Sequence, residues 1–208
     1  MKYVLILIGL FVAPFTYAQQ NDGPREVTPA IAKKINAEIE KEIPALLVKL
    51  EKNNNERTDK FDESIRFGVD TFKIDSFYRK ALDYDYSTYG MNKATSDATD
   101  KYDSLMNKYY KILSAKLKPQ DKATLLTAQR SWLAYRDNEM KLYAMLRKEE
   151  YSGGGTIQSN FMASAYFEIV KDRVLKLFEY YAGIYNWLFS LIFLNFMPPI
   201  IGLYEYRF

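Results

Sequence analysis

Apolar residues recur every three or four positions along most of this chain, and nowhere do they alternate with polar ones for the length of a strand. That spacing lays an apolar stripe along an α-helix and gives a sheet no buried face. Ile31, Ile35, Ile39, Ile43 and Leu46 mark a first helix, opened by Thr28-Pro29, a capping hydroxyl followed by proline in the first turn. Pro44 lies inside it and is expected to kink or divide it. A turn over 52–57 precedes a second helix from about Lys60 to Leu82, with Phe61, Ile65, Val69, Phe72 and Phe77 on one side. Ser87 or Thr88 can cap a third, which reaches about Leu117 through Ala94, Ala98, Tyr102, Leu105, Tyr109 and Leu113. Pro119 opens a fourth helix, Tyr151 to Gly155 reads as a loop by glycine content, and a fifth helix starts near Thr156. The expected fold is all-α: an antiparallel bundle of about five helices with short connections and an extra C-terminal hydrophobic segment.

The two ends differ from this body. Residues 1–18 read as a secretory signal peptide, with Lys2, an apolar run from Val4 to Phe15, and Thr16-Tyr17-Ala18 as a small-x-small cleavage site. Residues 19–27 are expected to be a disordered lead-in, 28–183 the helical domain, and 184–208 a hydrophobic tail. Residues 184–204 carry no charge, and a bilayer span needs about 20 such residues. Tyr185, Trp187, Tyr204 and Tyr206 sit where an aromatic belt would, whereas Asn195 and Pro198-Pro199 suit a cover packed on the bundle. A membrane anchor, a cover packed on the bundle and an aberrant C-terminal end all stay open. The expected location is outside the cytoplasm, in the periplasm or cell envelope.

Composition removes several function classes. The sequence has neither Cys nor His. A Cys-free exported protein holds its helices by packing alone, and no lipidated N-terminal Cys is available. Zinc sites of the usual kind, Cys nucleophiles and His bases are excluded, so neither a metal, a cofactor nor a catalytic residue is expected. Cleavage after Ala18 takes one Lys from the 29 cationic residues, so 28 stand against 26 anionic ones. That balance implies no nucleic-acid partner. Glu38 to Glu42 and Glu149-Glu150 read as solvated helix faces.

The most specific stretch is Gln129-Arg130-Ser131-Trp132-Leu133-Ala134-Tyr135-Arg136-Asp137. Helical spacing puts Gln129, Trp132 and Arg136 on one face, with a large aromatic between two long polar groups. Arg136, four residues after Trp132, can stack on its ring. Asp103 and Asn107 share a face of the third helix near Tyr110. In the favoured reading these residues form an internal network, with Asp103 paired to Arg136 and Asn107 bonded to Gln129, because buried polar groups persist when mutually satisfied. The other reading is a binding surface that includes Tyr135 and Asp137. Ser152-Gly153-Gly154-Gly155-Thr156 is either a plain connector or a protruding loop that enters a partner's cleft. No strand precedes it and no Lys follows, so it fails the context of a phosphate loop.

Taken in order, the Asp103 to Tyr110 helix, the Gln-x-x-Trp-x-x-Tyr-Arg-Asp stretch, the glycines and the later Arg173 resemble the LprI-type lysozyme-inhibitor domain family over about residues 88–181. Family members often carry paired cysteines; Met140 and Ala94 stand where two of them would align. The resemblance implies a non-enzymatic binding protein of the cell envelope whose protein partner is lysozyme; Ser152 to Thr156 is then the loop expected to enter the lysozyme cleft. The alternative is a structural envelope module with another partner. A hydrolase using carboxylates alone stands third.

Overall fold

The computed structural model describes residues 23–52 and 59–184. The signal-peptide reading, most of the 52–57 turn and the tail beyond Ile184 lie outside the described residues. Among those described, the chain forms six helices: α1 (Pro29–Glu51), α2 (Asp59–Tyr84), α3 (Thr88–Lys116), α4 (Pro119–Leu146), α5 (Glu149–Ser152) and α6 (Ile157–Gly183). The all-α bundle is therefore observed, with one short helix more than the expected five. α5 overlaps the start of the expected Tyr151–Gly155 loop and has only four residues, too few for any apolar period to announce it.

Local chemistry sets the helix starts. Thr28 accepts from the Ile31 amide, with Pro29 in the first turn of α1. Ser87 caps α3 by accepting from the Gly90 amide at 3.0 Å. Asp85 Oδ1 in turn accepts from the Ser87 amide and hydroxyl. The Asp85 carboxyl group lies so near Gly90 that a Cβ there would overlap it, so any larger residue must displace the acid. Pro44 does not divide α1, which runs unbroken through it. Proline removes one donor and leaves the Glu40 carbonyl unpaired, and both residues are exposed, where water can serve that carbonyl. The described part of the expected disordered lead-in is tied down. The Arg25 amide donates to the Tyr84 carbonyl at 3.1 Å, and its guanidinium lies 5.0 Å from the Tyr84 ring.

The core lies between α2, α3 and α6. Phe67 stacks on Phe178 at 3.9 Å, and Tyr109 meets both rings edge-on. Ala98, Tyr102, Leu105, Leu113, Phe167, Val170, Val174 and Leu177 complete it. The two fully buried tyrosines each find an acid: the Tyr102 hydroxyl donates to Asp75 and that of Tyr109 to Glu63, at 2.8 and 2.9 Å. Burial raises both phenols, and the neighbouring carboxylates add to the effect, so they remain protonated donors. Lys171 on α6 closes on Asp75 at 3.0 Å and clamps α6 to α2. α3 and α6 share the most extensive interface, while α4 leans chiefly on α6.

Candidate partner-binding face

α4 runs antiparallel to α6, and their seam gathers much of the Gln129 to Asp137 stretch. Trp132 packs half-buried against the core. The Arg136 guanidinium lies 5.5 Å from the Trp132 ring and 5.7 Å from that of Tyr166, which α6 supplies. Gln129 reaches inward: its amide nitrogen donates to the Met106 sulfur at 3.6 Å, and its Oε1 accepts from Arg173 Nε at 2.9 Å. Arg173 closes the group from α6, 5.7 Å from the Trp132 ring. Gln129, Trp132, Arg136 and Arg173 thus come together, and the stacking of Arg136 on Trp132 follows the helical spacing.

The expected charge pairs are different. Arg136 does not meet Asp103; its Nε and Nη2 donate to Asp137 Oδ1 at 2.9 and 2.7 Å. Asp103 accepts instead from Asn107 on its own helix, and Asn107 does not reach Gln129. The reason is placement: the Asp103–Asn107 face of α3 is not the one α4 covers, because α4 packs on α6. Tyr110 lies half-buried against the core, and Tyr135 is exposed. Arg173 stands apart electrostatically. It is buried, its Nη2 has no hydrogen-bond partner, and burial lowers its basicity.

A second cluster sits where α4 gives way to α5 and α6. Arg147 lies between the rings of Tyr143 and Phe161, 4.5 and 5.1 Å away, and its Nη2 donates to the Tyr143 hydroxyl. Beyond it come Gly153, Gly154 and Gly155 with φ of +75°, +73° and +90°, a left-handed run open only to glycine at low cost. Gly153, Gly155 and Thr156 are exposed. Ser152 faces inward, its hydroxyl shared between the Arg147 and Lys148 carbonyls and accepting from the Gly154 amide. It staples the loop with its hydroxyl and remains partly exposed. Gln158 completes the staple by donating to the Gly154 carbonyl at 3.1 Å.

Sequence reasoning missed Met106, Tyr166, Arg147 and Gln158. A signal existed for two of them. Tyr143 and Arg147 repeat the i, i+4 aromatic–Arg spacing of Trp132 and Arg136, and Tyr166 precedes Arg173 by two helical turns. Among the described residues no group of three or more Asp, Glu, His or Cys could hold a metal ion, and no helix is long and apolar enough to cross a membrane.

Residues 79–177 match the family model of the lysozyme inhibitor LprI. That stretch is similar to an LprI-type domain. It opens in the last turns of α2, earlier than the resemblance from residue 88 suggested, and so takes in the Asp85–Ser87–Gly90 corner. The matched stretch contains both clusters, the α4–α6 seam and the glycine loop, and leaves α1 outside it. No curated protein and no solved structure matches the chain.

Proposed function

We propose that this protein is an exported, non-enzymatic binding protein of the cell envelope that inhibits lysozyme. The family match over residues 79–177 carries the reading. The geometry supports it in one respect: the glycine loop is largely exposed, nearly free of side chains, and held at both ends, by Ser152 to the carbonyls that follow α4 and by Gln158 to the start of α6. A narrow, held loop of this kind can enter a cleft with little ordering cost on binding. Lysozyme's cleft contains two carboxylates with separate roles, so occluding it stops turnover without any chemistry by the inhibitor. Gly153, Gly155 and Thr156 are the loop residues placed for contact.

Titration of the purified protein into lysozymes of different classes, with lysis of cell walls as the readout, tests this reading. Inhibition that saturates near equimolar ratio is expected for at least one class. Unchanged lysis at large molar excess would remove it. The second reading, a structural envelope module with another partner, is favoured by one observation: Gln129, Trp132 and Arg173 turn into the α4–α6 seam and not outward. Under that reading no lysozyme is inhibited, and the seam acts only to hold α4.

A further inference from the structure

Arg173 carries a positive charge into the protein without an acid to meet it. The residue is 9 % exposed, its Nε donates to the neutral amide oxygen of Gln129, and its Nη2 is buried without an acceptor. Buried cations are normally paired, because removing a charge from water is costly unless an opposite charge or several hydrogen bonds replace the hydration. Arginine offers five N–H donors in a fork shaped for a carboxylate, and an amide oxygen is a weaker substitute. Arg136 brings a second guanidinium to the same Trp132 ring, 5.5 Å from its centre against 5.7 Å for Arg173. The anion on Arg136, Asp137, is 56 % exposed and does not reach inward to Arg173. The seam therefore brings two cations to one aromatic ring, and the acid that Arg136 pairs with faces solvent.

We propose that Arg173, with Arg136 beside it, receives a carboxylate from the protein partner. An Asp or Glu side chain enters the α4–α6 seam next to Trp132 and takes the place of the Gln129 amide oxygen on the Arg173 fork. The identity of the partner rests on the lysozyme reading; the acceptor chemistry does not. Phe161, beside the loop cluster, and Arg173 are twelve residues apart on α6, about 18 Å at the helical rise. One partner face of ordinary size, about 800 Å², covers that span, so loop and seam can be engaged together.

Three full-length variants test the assignment by calorimetric titration with lysozyme, either native or with its carboxyl groups amidated. Arg173→Met removes the charge and keeps the length; it should melt at the same or a higher temperature, because an unpaired buried charge is replaced by an apolar chain. Its affinity for native lysozyme should fall by more than about tenfold, as truncation of a buried charge pair does. Arg173→Lys retains part of the binding. Gln129→Glu supplies an internal carboxylate to Arg173, so it should melt higher and bind more weakly. Amidated lysozyme should bind the unaltered protein poorly.

Unchanged affinity in Arg173→Met or in Gln129→Glu, with the unaltered protein binding well, overturns the inference and leaves the lysozyme reading standing. If the unaltered protein binds no lysozyme, that reading falls, and titration with an N-acetylated triglutamate peptide decides the inference alone. Binding by the unaltered protein that Arg173→Met loses supports it. No binding, or equal binding by both, overturns it.

Discussion

Trp132 and Arg136 touch each other, yet they contribute to stability through different forces. Trp132 packs half-buried on the core, so Trp132→Ala removes apolar contact that α4 cannot replace. A loss of about 2–3 kcal/mol is expected, below the cost of truncating a fully enclosed aromatic, and chemical denaturation would measure it. Arg136→Met has a smaller effect. Its ion partner Asp137 is exposed, and pairs of that kind contribute about 0–1 kcal/mol, so the midpoint of the same denaturation should barely move. A large loss would mean that Arg136 has a buried acid after all, as the sequence pattern suggested. The i, i+4 spacings of Trp132 with Arg136 and of Asp103 with Asn107 were legible, because one helix fixes them. Which helix each face would meet was not legible, since spacing along one element says nothing about its neighbour. The unpaired state of Arg173 follows from that second, tertiary choice.

Helix starts were legible for the same local reason. Thr28-Pro29, Ser87 and Pro119 each act within one turn of themselves, and α1, α3 and α4 begin at them. α5 was illegible because it is shorter than two turns, and the staple made by Ser152 depends on carbonyls that only α4 and α5 together bring near. The continuity of α1 through Pro44 depends on exposure, which the pattern of apolar residues did not reveal. The corner before α3 offers a sharp test at this scale. Gly90→Ala places a methyl against the Asp85 carboxyl group, and the acid must leave the Ser87 amide and hydroxyl. Losing the charge-assisted bonds that hold the capping Ser87 costs about 1–3 kcal/mol, and thermal unfolding should register it as a drop in melting temperature. An unchanged melting temperature would show that the corner relaxes without losing the cap.

Across the molecule, the carboxyl groups on α6 set an unusual response to pH. Burial pushes Glu168 above its ordinary 4.5 and Asp172 above its ordinary 3.8, with Lys171 opposing both shifts. A carboxyl group raised in the folded state contributes stability that is fully present below its unfolded value and is lost as pH rises through its folded value. Glu168→Gln should therefore stabilise the protein near neutral pH and give no advantage near pH 4.5, a difference that urea midpoints at the two values would reveal. An equal gain at both would refute the assignment. The way α4 rests chiefly on α6 also has a kinetic consequence. A helix with one main neighbour opens without disturbing the rest, so amide protons over 120–146 should exchange with deuterium sooner than those of the core helices. Protection in α4 equal to that in α3 would contradict this. If α4 does open alone, substitutions along it can tune how tightly the motif face grips while the Phe67–Tyr109–Phe178 centre remains closed, and variation in recognition need not endanger folding.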